Sequence, residues 1–145
     1  MDPDERQQLA KDLYGRVWTL LETEGRTPEQ DDERIHAAHA SRYHWGEVGG
    51  PEHRARGEWQ CSRVYAVLGH GEPALHHATR CFEICEQQEI GDWDLAFAYE
   101  ALARAHAVAG NAEDAERYRE LAREAGAAIE DPEDREVFDA DFATL

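Results

Sequence analysis

Apolar residues recur at helical intervals along the whole chain, and no stretch alternates with the period of two that is typical of strands. In the first segment, for example, Leu9, Leu13 and Val17 fall on one helical face. Together with start and stop signals, this pattern predicts an all-α protein with six long helices and a short seventh one. The predicted helices cover approximately residues 3–24, 28–48, 51–69, 72–89, 92–110, 111–129 and 132–142.

The helix boundaries are marked by capping residues, prolines and glycines. Asp2-Pro3 and Thr27-Pro28 are typical helix starts, and we expect Asp92 and Asn111 to cap later helices. Glycines are expected to close the long helices, with Gly91 closing the fourth. Such short links place consecutive helices antiparallel. The chain is therefore predicted to form one domain, residues 1–145, with hairpins at about 3–48, 51–89 and 92–129 and a capping helix at about 132–142.

The second and third hairpins repeat each other at an offset of 41 residues. Near the ends of their first helices, Cys61-Ser62-x-x-Tyr65-x-x-x-Gly69 corresponds to Leu102-Ala103-x-x-His106-x-x-x-Gly110. Small residues at these positions let two helices of a hairpin approach closely, and Tyr65 or His106 is expected to fill the gap between hairpins.

This pattern resembles the tetratricopeptide repeat. The stretch from Leu102 to Ala115 is close to the consensus of that family, with His106 where tyrosine is usual, and the stretch from Glu58 to Cys81 is a second match. The resemblance implies stacked hairpins that form a short superhelix, with residues 3–48 as a degenerate first hairpin. It also implies that the first helix of each pair lines a concave groove.

Groove-facing positions of that family select two sets of side chains, and each set lies on one helical face. The sets are Arg56, Trp59 and Arg63 on the third helix, and Phe97, Glu100 and Arg104 on the fifth. Guanidinium groups bind carboxylate or phosphate oxygens, and the aromatic rings can pack against an apolar neighbour. One interpretation is thus a groove for an acidic or otherwise anionic ligand. In the alternative, these arginines pair with Glu58, Glu100 or other nearby acids in an ion network.

The charge distribution singles out the middle of the chain. The chain has 32 acidic and 15 basic side chains, a formal net charge of −17. Residues 1–34 carry −5 and residues 83–145 carry −13, whereas residues 35–82 carry +1 and contain seven of the eight histidines. So acidic a surface argues against a nucleic-acid partner. No apolar run is long enough to span a membrane.

His36 and His39 lie three residues apart on the second helix and share a helical face. Glu58 and Cys61 have the same spacing on the third helix, so the four side chains are a candidate site for a divalent transition metal. No known metal signature is matched, and the alternative is that the histidines pack between helices. No cofactor is otherwise predicted. Cys81 and Cys85 are interpreted as small core residues.

The sequence contains no phosphate-binding glycine loop, nucleophile elbow or paired Cys-x-x-Cys motif, so we do not expect an enzyme. An odd number of cysteines favours a cytoplasmic protein.

The favoured function is a non-enzymatic module that binds a protein or peptide, such as an acidic chain terminus. The alternatives are a metal-binding protein centred on His36 and His39, and a structural subunit whose acidic faces meet a basic partner. Phe138 and Phe142 lie on one face of the last helix, and this helix is expected to cover the end of the third hairpin. In the alternative, two copies of the chain form a homodimer through this C-terminal edge.

Overall fold

The computed structural model describes residues 1–145 and contains seven α-helices and no strand, which confirms the predicted all-α architecture. Six helices are long and the C-terminal one is short: α1 Pro3–Glu22, α2 Pro28–Val48, α3 Pro51–Val67, α4 Gly71–Gln87, α5 Asp92–Val108, α6 Ala112–Ala127 and α7 Pro132–Phe142. Consecutive helices pack as hairpins, α1 with α2, α3 with α4 and α5 with α6. None of the helices combines the length and the apolar character needed to cross a membrane.

Side-chain caps fix three of the helix starts where the sequence predicts them. The Asp2 carboxylate accepts a hydrogen bond from the Glu5 backbone N–H at 2.8 Å, and Thr27 caps α2 in the same way. Asp131 accepts from two backbone N–H groups at the start of α7. Each cap satisfies donors that have no partner inside the helix, and therefore defines where the helix begins.

The ends of α3, α4 and α5 share one backbone motif, and the predicted role of Gly91 in it is wrong. Gly69 and Gly110 adopt positive φ angles of 78° and 85° after α3 and α5. After α4 the corresponding residue is Glu89, with φ of 53°, and the next N–H, that of Ile90, donates to a carbonyl in the last turn. Gly91 is instead the N-cap of α5. Asn111 is the N-cap of α6 as predicted, although its side chain makes no capping hydrogen bond. Asp92 is the first residue of α5 rather than its cap, so that prediction is also wrong.

Replacing Glu89 with glycine is expected to stabilise the protein by about 0.5 to 1 kcal/mol, because a left-handed conformation is costly for a residue with a Cβ atom. Glu89 is exposed, so no packing is lost. Urea denaturation measures the change. The control is Gln88→Gly at a φ of −99°, where glycine has no advantage and stability should fall. A loss of stability in both variants would contradict the assignment of strain to Glu89.

The repeat inferred from the sequence is visible in the packing between the two helices of the second hairpin and of the third. The rings of Tyr65 and His77 stack with centroids 5.7 Å apart and planes inclined by 6°. At the positions 41 residues later, His106 and Tyr118 stack at 5.4 Å and 4°. Tyrosine and histidine have thus exchanged places while the stacked pair is retained. This equivalence explains why both residues occupy the same register of the sequence motif.

The core is built largely from small side chains, which let the helices approach closely. Its largest cluster joins α3, α4 and α5, and includes the buried, unpaired cysteines Cys81 and Cys85 as the sequence predicts. Two smaller clusters join α1, α2 and α3, and α5, α6 and α7. Three apolar clusters therefore follow one another from the first hairpin to the capping helix.

The one fully buried side chain of α7 is Phe138. Phe138 is 1% exposed and packs against α5 and α6. A Cβ atom added at Gly126 would lie only 2.1 Å from the Phe138 ring, so this glycine provides the space into which the ring fits. As predicted, α7 caps the third hairpin. In addition, it extends along α5 towards α3, which the sequence pattern does not indicate.

Candidate functional site

The first helices of the three hairpins, α1, α3 and α5, line one concave groove with a volume of about 750 Å³. Helix α7 forms a further wall through Val137, Ala140 and Asp141, and Thr144, just after the helix, extends it. A groove of this volume falls in the range of sites that bind compact ligands. The position of α7 bounds the groove at the third hairpin.

All four tryptophans of the chain line this groove, although they are distributed over four helices. With two further aromatic side chains they make up six of the ten hydrophobic residues that line it: Tyr14, Trp18, Trp45, Trp59, Trp93 and Phe97. Of these six, the sequence singled out only Trp59 and Phe97. A signal for Trp18 and Trp93 was available, since both lie on first helices of hairpins. Trp45 lies near the end of a second helix and carried no such signal.

The aromatic side chains contact one another and are held in place by their neighbours. The ring centroid of Trp59 lies 5.5 Å from that of Trp18 and 5.6 Å from that of Phe97. Trp45 stacks on His53 with centroids 4.2 Å apart. Such pairs add to the energy of simple burial, so the groove presents a fixed aromatic surface.

Arg56 lies in the groove as predicted but is already paired with a carboxylate of the chain. Its guanidinium donates to both oxygens of Asp94 at 3.0 and 3.1 Å and lies 4.3 Å from the Trp93 ring centroid. The hydrogen bonds to Asp94 raise the pKa of Arg56 further, against the smaller effect of burial. This bidentate pair occupies Nε and one N–H of Nη2 and balances the charge of Arg56 within the chain, which reduces what Arg56 offers to the predicted anionic ligand.

Arg63, Glu100 and Arg104 also come together, in a cluster beside the groove that α7 completes. Glu100 is fully buried, and its Oε1 accepts from Arg63 at 3.2 Å and from Arg104 at 2.8 Å. Asp141 of α7 accepts from Arg63 at 2.7 Å. Burial raises the pKa of Glu100, and the guanidinium groups of Arg63 and Arg104 act in the opposite direction.

The three arginines of the predicted ligand-binding set are thus paired with acids of the chain, as in the alternative interpretation, and their role in ligand binding stays a prediction. Arg56, Trp59 and Phe97 line the groove, whereas Arg63, Glu100 and Arg104 are absent from its lining. The acids that neutralise the arginines include Asp94 and Asp141, which are 38 and 78 residues away in sequence from their partners. No local pattern around Arg56 or Arg63 indicates these pairings.

The predicted metal site of His36, His39, Glu58 and Cys61 is not assembled. No group of three or more histidine, cysteine or acidic side chains in the structure could hold a metal ion. His36 is exposed, while His39 is half-buried and hydrogen-bonded through Nε2 to the Tyr65 hydroxyl at 2.9 Å. Burial raises the pKa of the Cys61 thiol to about 12, which opposes formation of the thiolate that metals prefer.

Glu58 belongs to a polar cluster that joins α2, α3 and α4. Its two oxygens bind His77 at 2.7 Å and Arg42 at 3.1 Å. Burial would raise the pKa of Glu58, but the hydrogen bonds and charges of His77 and Arg42 outweigh it and lower that pKa. Both oxygens are thus engaged in holding helices together. His39 packs between helices, which is the alternative that the sequence left open, whereas His36 is exposed.

His39 makes the stability of the protein dependent on pH. Burial and the neighbouring His77 lower the pKa of His39 below its ordinary value. On acidification, the unfolded chain binds a proton at this position before the folded chain does. The free energy of unfolding should therefore decrease as the pH falls below about 6.5, until the folded-state pKa is passed.

Urea denaturation between pH 8 and pH 5 measures this dependence. We expect His39→Gln to reduce the slope of the free energy of unfolding against pH. Identical slopes for the original chain and His39→Gln would contradict this source of pH dependence.

Comparisons with known proteins add no identification to this geometry. No protein-family model matches the chain, and no similar curated protein or solved structure was found.

Proposed function

We propose that the chain is a non-enzymatic interaction module similar to tetratricopeptide-repeat proteins. It would bind its ligand in the groove that the four tryptophans line. The observation that carries the proposal is the convergence of all four tryptophans on one concave surface. Tryptophan is enriched where proteins bind their partners, because it offers a large and rigid apolar surface with one polar group.

Two further features support this proposal. The groove is lined by the first helix of each hairpin, as in the family that the sequence resembles, and the stacked Tyr65–His77 pair recurs as His106–Tyr118. The ligand would be a segment of a partner protein, a peptide or another compact molecule with an apolar part. The three buried, unpaired cysteines support a cytoplasmic location.

The groove also changes the kind of ligand that we propose. Because Arg56, Arg63 and Arg104 are paired with Asp94, Glu100 and Asp141, apolar contact supplies the main affinity. The metal-binding alternative gains no support, since its four candidate ligands form no common site.

Binding of the uncharged dye N-phenylnaphthylamine tests the proposal. Excitation of the tryptophans should produce energy transfer to the bound dye, because every tryptophan of the chain lines the groove. The variants Trp18→Ala and Trp93→Ala, at half-buried positions, should each weaken binding about tenfold.

The control is Tyr43→Ala, which removes an aromatic side chain that is 62% exposed and does not line the groove. Circular dichroism shows whether each variant is folded. If the dye does not bind, or if the folded tryptophan variants bind as well as Tyr43→Ala, the groove is not the binding site.

A further inference from the structure

The charges of the groove balance almost completely within the chain. Asp94 is paired with Arg56, and Asp141 is paired with Arg63. The Glu100 carboxylate lies between Arg63 and Arg104, so the cluster beside the groove contains two cations and two anions. These six side chains therefore contribute no net charge to the surface that a ligand meets.

One cationic side chain of the groove remains outside this balance. Lys11 lies on α1 among the lining residues and makes no ion pair with any carboxylate within 4 Å, whereas Arg56 does. It is the only lysine in the chain, and it is exposed. The remaining basic side chain of the lining, His53, has the Glu52 carboxylate 3.4 Å from its Nδ1.

An uncompensated cation is notable against a chain of net charge −17. The flanking acidic surface repels anions in general. A small anion therefore binds in this groove only where the attraction of Lys11 and the apolar contact together exceed that repulsion. A lysine at the edge of an apolar surface holds its ammonium group in water while its methylene chain covers apolar neighbours. An anionic group next to an apolar body matches both features.

We propose that the groove binds a compact amphipathic anion, with a flat apolar body against the tryptophans and a single acidic group at Lys11. This inference rests on the proposed function and specifies its ligand class. It replaces the three arginines expected from the sequence by a single lysine on a different helix. It also assigns the charge selectivity to α1, the helix of the degenerate first hairpin.

A pair of dyes with the same ring system tests the proposal. Anilinonaphthalene sulfonate carries one sulfonate, and N-phenylnaphthylamine is the same molecule without it. The original chain should bind the sulfonate more tightly than the neutral dye. Lys11→Gln should weaken sulfonate binding by about three- to fivefold and leave the neutral dye unaffected. The advantage of the original chain over Lys11→Gln in sulfonate binding should decrease as salt is added, because salt screens the charge of Lys11.

Two variants control for charge. Arg6→Gln removes one positive charge from the same helix at a residue that does not line the groove, and sulfonate affinity should not change. Lys11→Arg retains the charge and should keep most of the affinity.

The outcomes separate this proposal from the one on which it rests. If both dyes bind, both are lost in Trp93→Ala, and Lys11→Gln affects neither, the groove is a binding site without the proposed charge selectivity. An equal effect of Arg6→Gln and Lys11→Gln would likewise overturn the role of Lys11. If neither dye binds the folded chain, the groove itself is not a binding site and both proposals fail.

Discussion

Replacing Phe138 with alanine is expected to lower the free energy of unfolding by about 3 to 5 kcal/mol, the usual cost of removing a buried phenylalanine. The side chain is 1% exposed, and its ring lies 5.3 Å from that of Phe97 and directly over Gly126. Thermal and urea denaturation measure the loss.

The same substitution should affect the groove, because α7 forms one of its walls. We expect Phe138→Ala to weaken binding of N-phenylnaphthylamine, and Gly126→Ala to do the same by displacing the ring from the other side. The control is Glu136→Ala, at an exposed residue of the same helix that does not line the groove, for which dye binding should not change and the stability change should be within about 0.5 kcal/mol. Equal and small effects at both positions would show that α7 does not dock as described.

Replacing Glu100 with alanine is the second change with a large expected effect, again about 3 to 5 kcal/mol of stability. The carboxylate is fully buried and accepts hydrogen bonds from both Arg63 and Arg104. Without it, two enclosed guanidinium groups face each other with only Asp141 as a counter-charge. A buried charge that has lost its partner destabilises the protein by much more than the intact pair stabilises it. This difference explains the size of the expected effect.

Three further variants identify charge as the cause. Glu100→Gln keeps the shape and one acceptor oxygen, so it should cost less than Glu100→Ala. The double variant Glu100→Met/Arg104→Met should recover part of the loss, since it removes a charge of each sign. The control is Glu83→Ala, which breaks an exposed pair with Arg80 and should cost about 0.2 to 1 kcal/mol. Similar losses for Glu83→Ala and Glu100→Ala would contradict the buried network.

Local signals account for the elements that sequence reasoning placed correctly. Capping by Asp2, Thr27 and Asp131 involves residues two or three positions apart, so it can be recognised in the linear chain. The 41-residue repeat is similarly visible, because Tyr65 and His106 occupy the same position relative to a glycine with positive φ. Where the local signal was ambiguous the prediction failed, since the residue with positive φ after α4 is Glu89 rather than a glycine.

Long-range contacts account for the parts of the candidate site that could not be predicted. The partners of Arg56 and Arg63 come from helices that are distant in sequence, so whether an arginine is available to a ligand depends on the packing of α5 and α7. The polar cluster at Glu58 depends in the same way on His77 from α4. Spacing within one helix indicates which side chains share a face, but not what the neighbouring helix places opposite them.

The sequence by itself determined the seven helices, their hairpin order and the repeat, because these follow from periodicity, capping and glycine over a few residues. It also placed the groove on α3 and α5, through the resemblance of their motif to a known repeat. The tertiary structure alone decided that four dispersed tryptophans share one surface, that the arginines are neutralised and that Lys11 remains without a counter-charge. The physical reason is that burial and charge pairing are properties of several helices together, and the packing of the hairpins and of α7 establishes them.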